Sequence, residues 1–317
     1  MAKKKVRIGQ TIALIPEAGS AIRPEWLLDG QSGNTNFPYS KYKALATVGE
    51  VDAKTKLGLT GYPDGQAAWL LDDNTVRVAY QSESYANVTG TRTPEPETYP
   101  RELKTGVTFT GSRIHTIDYA RDAFADFMGN DSAASDMVKG SGFLFNRAFN
   151  LFGKEVTPKN TDPADLAAKW GNQTLPSGEI VEFGTPLSDA DFFFHSFCGA
   201  WYEPANRYGE GQGFSDDIWL MAEEWDIGED NFAPGVAGEA VANETMGLAA
   251  MAVDVANEVA YSVPALGQTG YEKIAPLNTG ESDYVVVVTA GYNHGQDPAP
   301  LKIYVGRKGY DAEGNEI

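Results

Sequence analysis

Apolar and polar residues alternate in short stretches along most of this chain, and period-two alternation between turn residues marks half-buried strands. Residues 56–83 read as two strands joined by a turn at Asp72, Asp73 and Asn74, with residues 76–80 alternating cleanly. Residues 112–119 alternate again and give way to a short helical pattern at 121–128. The stretch 130–170 reads as an insertion with two short helices, the second opened by Asp162 as cap and Pro163 as first helical residue. A strand and turn return at 171–184. The most apolar run, 218–222, reads as a core strand that ends in two acids, Glu223 and Glu224. Residues 251–255 and 259–263 form a strand pair about Ala256 and Asn257, 284–289 a buried strand, and 301–305 the next one.

These patterns predict a mainly β protein. They divide it into an N-terminal extension over 1–55, with a strand and a loop, and a β domain over 56–317 that carries the helical insertion at about 121–170. A polar, proline-rich linker occupies 89–103. Many short strands with turns every ten or so residues fit a β-propeller, in which strand ends from separate blades converge on one face. The composition supports this: 34 Gly, 17 Pro and 15 Tyr favour strands and turns over long helices.

Charge narrows the partners. A net charge of -19 opposes a phosphate backbone, so no nucleic-acid surface is expected. The same acids suit hard cations held by carboxylates, or solubility alone. No stretch approaches the ~18 consecutive apolar residues of a membrane helix, so no membrane insertion is expected. The basic start is followed by too short an apolar run before Pro16 and Glu17 to read as a secretory leader.

Candidate chemistry gathers in residues 192–226. This stretch holds the only cysteine, Cys198, with His195 beside it and Glu223 and Glu224 downstream. A lone cysteine excludes an internal disulfide, and three histidines (His115, His195 and His294) make a multi-histidine zinc site improbable. His195 reads either as facing the thiol or as a packed core ring, and His294 as a turn residue. Phosphate-cradling glycine loops, nucleophile elbows, zinc-helix motifs and paired-cysteine motifs are absent from the sequence.

Cys198 followed by Trp219-Leu220-Met221-Ala222-Glu223-Glu224 resembles the signature of the PhoX-type alkaline phosphatases. Pro63-Asp64-Gly65, leading to a strand that ends in Gln81-Ser82-Glu83, is similar to an early segment of that family in which a Pro-Asp-Gly turn precedes Asn-His-Glu; the acid matches and the histidine is missing. Tyr271-Glu272 occupies the place of the family's metal-binding glutamate, and 284–306 resembles two strands of a family blade. The resemblance implies a β-propeller with a mixed iron and calcium centre held by Cys198, Glu223, Glu224, Glu272 and Glu83. It also implies hydrolysis of a phosphate ester and an extracellular or cell-surface location. Arg113 is the candidate for neutralising phosphate oxygens; its bland reading is a strand arginine paired with a surface acid.

A different class of function stays open beside this one. The missing histidine at Ser82, the long insert between Cys198 and Trp219, and the absence of a readable leader suit a non-catalytic propeller that serves as a surface, filament-forming or virion component. Calcium binding without catalysis lies between the two. After Tyr304 the sequence turns without a strand to complete the last hairpin, so either the chain is the N-terminal part of a longer protein, or a partner pairs with the open sheet edge and the chain self-associates there.

Overall fold

Asp72 closes the first hairpin by an Asx turn: its Oδ1 accepts the Asn74 amide at 2.7 Å and its Oδ2 the Thr75 hydroxyl at 2.9 Å. The computed structural model describes residues 7–10, 43–83, 101–109, 111–150, 153–157, 173–174, 180–181, 194, 197–224, 250–267, 270–291, 301–311 and 314–317. Sixteen strands are found among them. They are β1 (Tyr62–Asp72), β2 (Thr75–Glu83), β3 (Arg101–Glu102), β4 (Thr108–Phe109), β5 (Ile114–Ala120), β6 (Val138–Phe143), β7 (Arg147–Phe149) and β8 (Gln173–Thr174). The series continues with β9 (Ile180–Val181), β10 (Phe197–Glu203), β11 (Ile218–Glu223), β12 (Ala250–Asp254), β13 (Val259–Ser262), β14 (Tyr271–Leu277), β15 (Tyr284–Gly291) and β16 (Leu301–Arg307). One short helix, α1 (Phe124–Gly129), follows a 3-10 turn at Arg121–Ala123.

The protein is mainly β. Its larger sheets have the orders β1-β2-β5-β6, β10-β11-β12-β13-β7 and β14-β15-β16, and β3-β4 and β8-β9 are two-stranded. None of them closes on itself among the described residues. Strands adjacent in sequence pair antiparallel in the second and third sheets; β7 joins β13 in parallel. No helix among the described residues is long and apolar enough to cross a membrane.

The chain divides into two compact units. The first comprises residues 1–59, 68–78 and 117–142. Within it the Glu50 carboxylate accepts the amides of Gly9 at 2.7 Å and Thr47 at 2.9 Å, so a buried charge is met by backbone donors. Lys43 donates to the carbonyls of Phe127, Asn130 and Ser132, meeting the negative end of α1 with a cation.

The second unit comprises residues 60–67, 79–116 and 143–317. Its core brings the inner faces of two sheets together. Leu220, Ala222 and Ala250 of the five-stranded sheet pack with Tyr271, Ile274 and Val287 of the three-stranded sheet. β11 is buried on both faces: Leu220 and Ala222 pack in this core, while Trp219 and Met221 are buried on the other face, where the Trp219 indole meets Gln81 of β2, which is why 218–222 reads as an unbroken apolar run rather than an alternating one.

The stretch read as a helical insertion departs from that expectation. It carries a 3-10 turn at Ala134–Asp136 and then β6 and β7, which complete the first and second sheets. Cross-strand pairing outweighs the weak local preference of a Gly-rich sequence such as Val138–Phe143. The expected helix at Asp162, and the calls on His195 and His294, fall outside the described residues.

Candidate functional site

The site grows from two irregular strands that meet. In β10, Cys198 pairs with Ala222 but Trp201 pairs with Leu220, so β10 carries one extra residue around Gly199 and Ala200. In β14, Tyr271 pairs with Gly291 and Lys273 with Ala290, which leaves Glu272 as the extra residue. Each is a β-bulge, a device that bends a strand and re-aims its side chains. The two bulges touch. Gly199 has φ +38°, and a Cβ there would stand 1.8 Å from the Glu272 carbonyl oxygen, so only glycine lets the strands approach this closely.

Three further contacts fix the bulge of β10. Gly65 of β1 lies against it so closely that a Cβ would sit 2.3 Å from the Ala200 amide nitrogen, which brings the preceding Asp64 to the thiol. Gln81, fully buried in β2, donates from Nε2 to the Cys198 carbonyl at 2.8 Å and accepts the Trp219 indole N–H at 2.8 Å. Lys273 Nζ donates to the Ala200 carbonyl at 2.6 Å. The carbonyls freed by the irregular backbone are thus answered by side chains from β2 and β14.

Around Cys198 stand two overlapping triads. Ligand atoms of Asp64, Glu83 and Cys198 lie within 4.8 Å of one another, and so do those of Cys198, Glu224 and Glu272. The thiol donates towards Glu272 Oε2 at 3.6 Å. Burial pushes the Cys198 thiol well above its ordinary range, and the carboxylates of Asp64, Glu224 and Glu272 push it further. Burial and three acids around one sulfur disfavour the thiolate, and a cation among them would reverse that preference. Cys198, Asp64, Glu83 and Glu224 are half-buried and Glu272 is exposed.

Of the residues singled out in the sequence, Cys198, Glu83, Glu224 and Glu272 come together here, though 189 positions separate Glu83 from Glu272. Glu223 is buried and belongs to neither triad. It is the neighbour of Glu224 along an extended backbone, where successive side chains point to opposite faces. Arg113 is not a surface residue. It is fully buried, its Nε donates to the Gly111 carbonyl at 3.2 Å, and its guanidinium carbon stands 5.8 Å from the Phe143 ring centroid. Beside it in the same strand region lies His115, whose Nε2 is 3.0 Å from the Thr60 hydroxyl and whose ring stacks on Tyr80. Burial, then the charges of Arg113 and Arg101, hold His115 well below the usual histidine range, so it is neutral.

Asp64 is the member that sequence reasoning passed over. Pro63-Asp64-Gly65 carries turn chemistry, yet it lies inside the 11-residue strand β1. The glycine is there for the approach of β10 rather than for a reversal of the chain.

No family model, curated protein or solved structure matches this chain.

Proposed function

We propose that this protein is a metal-dependent, phosphatase-like β-propeller that binds cations at Cys198 and hydrolyses phosphate esters there. The observation that carries the proposal is the convergence of Asp64, Glu83, Glu224 and Glu272, from separate strands or strand ends, on a single thiol held by two bulges. The donor set fits the metals that the resemblance implies: carboxylate oxygens suit calcium, and a thiol among them suits iron. Asp64, Glu83 and Cys198 would form one half of the centre, and Cys198, Glu224 and Glu272 the other. Bound cations supply charge neutralisation for the ester oxygens. The chain's own part is to hold the ligands in place, Gln81 through the Cys198 carbonyl and Lys273 through the Ala200 carbonyl. The up-and-down runs β10-β11-β12-β13 and β14-β15-β16 support the propeller reading, since blades are meanders of this kind. An extracellular or cell-surface setting suits the same site, because carboxylate sites of modest affinity fill with calcium there.

Elemental analysis of the purified chain, together with release of phosphate from a simple monoester, tests this reading. Bound metal, turnover, and loss of both on Cys198→Ala and Glu272→Gln support it. A chain that takes up no metal from excess calcium, iron or manganese ends it.

A second reading, cation binding without catalysis, is favoured by the placement of Arg113. A guanidinium enclosed beside Phe143 and bonded to Gly111 is not offered to a phosphate at the surface. Stoichiometric metal without phosphate release would decide for it.

A further inference from the structure

The outer face of the three-stranded sheet carries an apolar surface that the core does not use. Ile274, Val287 and Tyr304 point inward, and alternation therefore turns Ala275, Leu277, Val288, Leu301, Ile303 and Val305 outward, with Val286 of the middle strand buried between Leu277 and Val305 at 9% exposure. Leu301, Ile303 and Val305 are 77%, 65% and 58% exposed, and Leu277 is 44% exposed. The outward positions 275, 277, 284, 286, 288, 290, 301, 303, 305 and 307 include no acid, in a chain with 44 of them.

From this we infer that the face is a dimerisation surface whose occupant is the same face of a second copy, packed sheet on sheet about a two-fold axis parallel to the strands. Two features of the face argue for a second copy, and a third sets how tightly it is held. The first is relief. β16 presents a ridge of Leu301, Ile303 and Val305, whereas β14, at the opposite side of the sheet, presents the small Ala275 in register with Ile303, and Leu277 in register with Val305. A two-fold axis along the strands lays the β16 of one copy over the β14 of the other, so Ile303 of each copy sits over Ala275 of its partner and Val305 meets Leu277, apolar on apolar. The second is charge. Such an axis brings like ends together, and one end of this sheet holds both signs: Arg307, stacked on Tyr310 at 3.9 Å, ends β16, while Glu281 and Asp283 lie exposed in the β14–β15 turn. Arg307 of each copy then faces the acids of the other. The repulsion of two chains of charge -19 is weakest where neither presents a carboxylate. The third is size. Three strands about 4.8 Å apart and seven residues long at about 3.3 Å per residue make a face of roughly 14 by 23 Å. Two such faces cover roughly 640 Å² in outline, below the about 1,000 Å² of a stable specific interface, so the dimer is a weak one that forms at high concentration.

Sedimentation equilibrium of the full chain from about 1 to about 500 μM tests the inference. The expected result is a mass that rises from 34.2 kDa towards twice that value and no further. Ile303→Asp, at an exposed position that leaves the fold intact by circular dichroism, is expected to stay monomeric throughout. Arg307→Glu is expected to weaken association at least tenfold, and Arg307→Glu combined with Glu281→Lys to restore most of it. A single 34.2 kDa species over the whole range overturns the inference, as does an Ile303→Asp chain that associates like the parent. Growth beyond a dimer points instead to edge pairing along β16 and also overturns it.

Discussion

Gly199 and Glu272 meet backbone to backbone: the α-carbon of the first lies so near the carbonyl of the second that one added methyl group would overlap the oxygen at 1.8 Å. The contact joins two bulges in different sheets, and it places the Cys198 thiol 3.6 Å from Glu272 Oε2. Gly199→Ala is therefore expected to lose roughly 3 kcal/mol or more, since a positive φ and a clash with main chain add together. Gly140→Ala, where an added Cβ meets nothing within 4 Å, is expected to change stability by less than about 1 kcal/mol. Urea unfolding of the two variants checks both, and equal losses would show that the bulge contact carries no weight.

Gln81 satisfies two buried groups at once, the Trp219 indole N–H and the Cys198 carbonyl. Gln81→Leu keeps the volume and removes both hydrogen bonds. At about 1–3 kcal/mol for each group that loses this partner the expected loss is roughly 2–6 kcal/mol. A change in unfolding free energy below about 0.5 kcal/mol would mean that the bridge is not made in solution.

His115 gives a pH window. Its folded form resists protonation because of burial first and the charges of Arg113 and Arg101 next, whereas the unfolded chain takes up the proton near pH 6.5. Below about pH 6.5 the unfolded state binds more protons, so stability falls as pH drops and is fully present above that value. The slope is at most about 1.4 kcal/mol per pH unit from this one group. His115→Gln is expected to flatten the profile between about pH 6.5 and 5, as measured by the difference in unfolding free energy from the parent; an unchanged slope would assign it to other groups. The carboxyls of Asp52 and Asp72, which accept backbone and hydroxyl hydrogen bonds, are shifted downward and act in a separate window below the ordinary aspartate value.

The Cys198 thiol is expected to alkylate slowly. Its proton is held by burial and by the neighbouring Asp64, so little thiolate exists at pH 8. Iodoacetamide should react at least tenfold more slowly with the metal-free chain than with a free cysteine. Asp64→Asn should speed the reaction several-fold. A rate like that of free cysteine would show that the acids do not crowd the sulfur.

Much of the strand pattern is legible in the sequence. Alternation located β2, β12, β13 and β16, and the apolar run at 218–222 located β11, because each has a face or a pair of faces that must leave water. The association of Cys198 with Glu224, Glu272 and Glu83 is not legible in the residues themselves, since nothing local says that distant strand ends converge. The bulges were not legible. A one-residue slip in pairing leaves no mark on the pattern of a single strand, and Asp64 was missed for that kind of reason: Gly65 looks like a turn residue until β10 is seen lying on it. Arg113 was misplaced because residues 111–117 are buried on both faces, so period-two alternation there cannot distinguish a solvent side.

Gln81 grips residue 198 by its main-chain oxygen and takes nothing from the sulfur. The frame is therefore indifferent to what hangs from it. Exchanging sulfur for oxygen in Cys198→Ser alters one atom while the path of the strand stays put, so any change in ion preference that follows belongs to the donor itself and not to a rearranged scaffold.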